Sequence, residues 1–145
     1  MKELIRRIVC GVCEVLSENI QPAGTISINE MSSILLDKME EMGDTNAAPV
    51  LADIDNKIYN KEEVKAYLGL DETDKITYVP QEMDCDDFAA ILFGKFAGLI
   101  WTKKHALNFF ISEDEILYFI EPQTDKISQT LENWAGWDIR FFISR

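Results

Sequence analysis

Three side chains carry most of the chemistry this sequence can offer: Cys85, the single histidine His105, and Glu121 just before Pro122. Cys85 follows Asp84, a natural helix N-cap, and Phe88, Ala89, Leu92 and Phe96 continue as an apolar stripe, so a helix over 85–97 is predicted. A thiol in the first turn lies near unpaired backbone N–H groups, which stabilise a thiolate. His105 opens one apolar run, 105–111, and Glu121 closes the next, 115–121. If these strands pair across Ser112-Glu113-Asp114, His105 sits directly opposite Glu121, with Cβ atoms roughly 5 Å apart. The carboxylate would then hold one ring nitrogen and leave the other for the thiol, a Cys–His–Glu arrangement suited to nucleophilic catalysis. A shorter or longer loop would bring a different residue opposite His105.

Other readings of the same residues stay open. Asp84, Asp86 and Asp87 flank the cysteine, and negative charge disfavours a thiolate. Either Cys85 is no nucleophile or a cation neutralises the cluster. A hard metal such as calcium suits oxygen donors from Asp86, Glu121 and the Gln123 amide, while a solvated acidic N-cap needs no ligand at all. Cys10 and Cys13 are spaced Cys-x-x-Cys inside a predicted amphipathic helix over 2–18 and read as structural thiols.

The elements that would position these groups form an α+β pattern. Apolar residues at Met31, Ile34, Leu35 and Met39 predict a second helix from about Asn29 to Gly43. A short strand and turn are expected within 44–57, a helix over 61–68 capped by Asn60 and ended by Gly69, and an extended piece over 76–79. A last strand is predicted over 138–143. Helices first and an antiparallel sheet last make an α+β fold. The 145 residues suit one domain, with residues 1–70 as a helical part and 71–145 holding the cysteine helix and sheet. With 26 acidic against 14 basic residues, the net charge of −12 argues against nucleic acid and anionic membrane partners. Neither a secretory leader nor a membrane span is legible, and the expectation is a cytoplasmic protein.

Asp84-Cys85-Asp86-Asp87-Phe88-Ala89, His105-Ala106-Leu107-Asn108 and Glu121-Pro122-Gln123, in that order, resemble the papain-like C-terminal domain of the fungal agglutinin from Marasmius oreades and related bacterial and phage proteins. The resemblance covers residues 78–125 and implies a papain-like cysteine hydrolase cutting peptide or amide bonds in a peptide or protein substrate. Cys85 would be nucleophile, His105 general base and Glu121 the orienting acid. It also implies calcium, with ligands at Asp86 and Gln123 and with Glu121 shared between metal and histidine. Gln81, ahead of the cysteine, would supply an oxyanion donor. The rival expectation is a non-catalytic metal-binding or structural module that retains the fold, and a cell-wall amidase on a similar frame is a third.

Overall fold

The structure is a computed structural model and describes residues 19–44, 46–131, 133–134 and 138–145. The helix expected over 2–18, with Cys10 and Cys13, lies outside the described residues. Strand β1 (Gly24–Ser27) leads into helix α1 (Ile28–Glu41). Ser27 and Glu30 form a reciprocal capping box at that junction, with Ser27 N–H donating to Glu30 Oε2 at 2.7 Å. Strands β2 (Ala48–Val50) and β3 (Asp55–Ile58) precede helix α2 (Lys61–Leu70), whose first N–H groups donate to the Asn60 side chain. Gly69 does not stop α2, which runs on to an Asp71 C-cap. A 3-10 turn over Thr73–Lys75 follows, then helix α3 (Cys85–Lys95) and strands β4 (Gly98–Thr102), β5 (Ala106–Ile111), β6 (Leu117–Glu121), β7 (Lys126–Ser128) and β8 (Ile139–Ile143). The stretch expected to be extended at 76–79 contributes only an isolated bridge between Val79 and Met83.

The α+β class holds, with a qualification about strand direction. The larger sheet has six strands in the order β2-β8-β4-β5-β6-β7 and is mixed, because β2 runs parallel to β8. β1 and β3 form a separate antiparallel pair. Side-chain alternation divides the large sheet into two packed faces. Leu107, Phe109, Ile111, Leu117 and Phe119 pack with Met31, Leu35 and Met39 of α1, whereas Phe110, Tyr118 and Ile120 meet Val64 and Leu68 of α2 and Leu92 of α3. Fully buried Asn108 ties α3 to the sheet: its Nδ2 donates to Ala89 O at 2.9 Å and Gly98 O at 3.0 Å. Only glycine fits at position 98, since a Cβ there would lie 2.2 Å from the buried Phe109 ring.

The turn between β6 and β7 carries Asp125 in the left-handed region at φ 57, with Oδ1 buried and unpartnered, as is Oδ1 of Asp74. Burial first, then the Asp74 and Asp71 charges, push the Asp125 carboxyl up to about 6 from 3.8, against a smaller opposing effect of Lys75. The folded state therefore holds a proton that the unfolded chain releases, so stability falls as pH rises through this interval. Asp125→Asn is expected to flatten that slope and stabilise the protein at pH 7 by about 1 kcal/mol, a figure reduced for the group's partial exposure. Urea unfolding of both proteins at pH 4 and pH 7 checks this, and equal slopes would refute it.

Candidate functional site

The site expected from sequence is assembled around the start of α3 and the nearby ends of β5 and β6. Asp84 caps α3 and its N–H donates to Asp87 Oδ2 at 3.0 Å. Cys85 is the first helical residue and packs beside Ala89, Leu99 and Ala106, with Phe93 and Ile143 close by. The backbone of Ala106 hydrogen-bonds the sulfur. Burial nevertheless pushes the thiol pKa up, and Asp84 and Asp86 add to the rise. Burial is thus the main reason the helix-start effect does not yield a low-pKa thiol, with the flanking carboxylates adding to it.

His105 is held by the β4–β5 turn, with its N–H donating to Thr102 Oγ1 at 2.9 Å and its carbonyl accepting from Thr102 N–H at 2.8 Å. Its Nε2 lies 2.7 Å from Glu121 Oε2, and both side chains are largely buried. The imidazole–carboxylate pair is therefore present, but by a different register from the one expected. Asn108 pairs with Ile120 and Ile111 with Leu117, so the loop spans 112–116 and Glu121 faces Leu107 instead of His105. A slip of two residues preserves the face, and the long glutamate reaches the ring diagonally.

The thiol approaches β5 at the residue that follows the ring. Leu107 and Phe119 pack on the α1 side, while Ala106, whose backbone hydrogen-bonds the Cys85 sulfur, packs with Ala89 of α3. Cys85 meets this strand through its backbone. Gln81, expected as an oxyanion donor, is an exposed turn residue at φ 67 whose N–H donates to Asp84 Oδ2 at 3.2 Å.

The expected calcium ligands are also regrouped. Glu121 Oε2 is taken by His105, and its Oε1 accepts from the Gln123 backbone N–H at 3.3 Å. Among the described residues, Asp86 instead lies with Asp84 and Cys85, their potential ligand atoms all within 4.8 Å of one another. A hydrogen bond between the Asp84 and Asp86 carboxyls lowers the pKa of the first and raises that of the second. Two carboxylates sharing a proton are a donor set that suits a hard divalent cation; the soft sulfur between them is not. A cleft of about 460 Å³ lies elsewhere, between the C-terminal end of α1 and Gln129, Thr130, Leu131 and Asp138. Sequence reading missed it because its walls come from segments distant in the chain.

No family model matches this chain, and no curated protein does. Solved structures do match. The complex of PSL1a with E64 superposes with a TM-score of 0.65 at 18% identity, covering 82% of this chain and 50% of that one. The lectin of Polyporus squamosus bound to the human-type influenza-binding epitope Neu5Acα2-6Galβ1-4GlcNAc matches with a TM-score of 0.63 at 17% identity, covering 82% and 49%. This chain is similar in fold to a fungal lectin. It spans about half the length of the lectin chains it matches. The likeness corrects the expectations drawn from the motif strings: lectin chains, and not a papain-like domain, are the structural counterparts, and the cysteine hydrolase and its peptide or protein substrate are withdrawn with that assignment. Burial of Cys85, with Asp84 and Asp86 beside it, pushes the thiol pKa up and supplies a physical reason. Among the described residues no helix is long and apolar enough to cross a membrane.

Proposed function

We propose that this chain is a non-catalytic carbohydrate-binding module. The observation that carries the non-catalytic part is the surroundings of Cys85: it packs beside Ala89, Leu99 and Ala106, and burial first, then the Asp84 and Asp86 carboxylates, push its thiol pKa up. A thiol held in its protonated form is a poor nucleophile. In this reading His105 and Glu121 are structural: a buried, charge-assisted hydrogen bond closes the open ends of β5 and β6. The carbohydrate part is supported by the fold shared with the Polyporus squamosus lectin chains. Calcium, if bound, is assigned to the Asp84 and Asp86 carboxylates, where it would displace their shared proton and neutralise the acidic head of α3.

Screening of the labelled chain on a glycan array, in calcium and in chelator, tests the reading. Selective glycan binding that survives Cys85→Ala is expected, together with a calcium-dependent rise in Tm that Asp86→Asn removes. Absence of selective binding in both media would overturn the carbohydrate reading, and a Tm indifferent to calcium would overturn the cation assignment.

A further inference from the structure

We infer that the cleft at the C-terminal end of α1 is a subsite for an uncharged pyranose and that it discriminates against acidic sugars. This rests on the carbohydrate-binding reading above and adds its location and ligand class. The cleft volume of about 460 Å³ falls in the range of small-ligand sites. Its polar wall is built from Lys38, Glu41, Asp44, Asn46, Gln129 and Asp138. Planar carboxylates and amides of this kind pair with adjacent hydroxyls, each offering donors and acceptors in a fixed plane. Met42 and Leu131 supply apolar surface for the C–H face of a sugar ring.

The wall is held in place before any ligand arrives. Asp44 Oδ2 accepts from Ile139 N–H at 2.5 Å, joining the end of α1 to β8, and Asp44 Oδ1 accepts from Asn46 N–H at 3.3 Å. Gly43, at φ 70, makes the turn that brings Asp44 there. Preorganised polar groups spend little free energy on ordering when they bind.

Charge decides the class of sugar. Lys38, the one cation among the described lining residues, is engaged by Glu41 at 3.0 Å and lies 6.0 Å from the Phe119 ring centroid. Asp138 faces Lys103 at 3.9 Å. The ion pairs leave the wall without a cation for a sugar carboxylate, and Asp44 adds an anion beside it. A sialylated glycan would bring its charge against that anion, in a protein whose net charge is already −12. A neutral ring loses nothing there.

Calorimetric titration of the full chain with Galβ1-4GlcNAc and with Neu5Acα2-6Galβ1-4GlcNAc, repeated for Asn46→Ala and Gln129→Ala, tests the inference. Both variants alter exposed side chains and should keep the wild-type Tm. The neutral disaccharide is expected to bind at least about tenfold more tightly than the sialylated one, and each variant to weaken it roughly tenfold. Preference for the sialylated glycan overturns the inference. So does neutral-glycan binding that both variants leave unchanged, which would place the subsite elsewhere while the carbohydrate reading stands. Failure of both sugars and of every glycan on the array overturns the two readings together.

Discussion

Lys95→Met should cost about 1.5 kcal/mol of stability, a buried-pair figure reduced because Lys95 is 38% exposed. Asp71 closes α2 with its side chain almost entirely buried, and its Oδ2 receives Lys95 Nζ from the last turn of α3. Its Oδ1 accepts the Thr73 N–H at 3.0 Å. Burial alone would raise the Asp71 pKa, but the hydrogen bonds from Lys95 and Thr73 outweigh it and hold the carboxyl below 3.8. Methionine keeps the aliphatic stem and removes the charge, leaving a carboxylate in low dielectric with only the Thr73 groups.

The sign of the pH dependence follows from that lowered value. The pair's contribution is present above the unfolded carboxyl's pKa and is lost as pH falls through the folded one, so the deficit of Lys95→Met narrows in acid. Denaturant unfolding at pH 7 and pH 3 checks both claims, with Asp71→Asn/Lys95→Met as the control. The double variant should recover part of the loss because no buried charge remains unpaired. Equal stability of Lys95→Met and wild type at pH 7 would show that the pair is only a solvated surface contact.

The helices that frame the site were legible because their signals are local. Met31, Leu35 and Met39 recur at helical spacing and are buried, and Asn60 and Asp84 cap α2 and α3 as their residue types suggest. The Ser27–Glu30 capping box was equally available in the sequence and places the start of α1. Strand β4 was missed because Gly98-Leu99-Ile100-Trp101-Thr102 follows α3 with hardly a turn to announce it. The parallel pairing of β2 with β8 joins Ala48 to Phe141, far apart in sequence, and no local pattern encodes it.

For the candidate site, residue types were legible and their arrangement was only half so. That His105 and Glu121 meet was readable, since a two-residue slip keeps both on one face. Loop length was not. Ser112 accepts from Glu115 N–H, Glu115 adopts φ 60 and Ile116 remains partly exposed, so β6 begins only at Leu117. How deeply Cys85 is buried depends on how α3 packs against β4 and β5, a tertiary fact that helix periodicity cannot supply.

The reactivity of Cys85 tests the central claim most directly. A thiol raised by burial and by two neighbouring carboxylates is mostly protonated at neutral pH and reacts slowly. Iodoacetamide labelling of the intact chain, resolved to Cys85 by peptide mass mapping across pH 5 to 9, gives the rate profile. The account predicts labelling slower than that of free cysteine at every pH, rising only in the alkaline range, and an unchanged protein mass after incubation with E64. Labelling about a hundredfold faster that persists at pH 5 to 6, or stoichiometric attachment of E64 at Cys85, would contradict it.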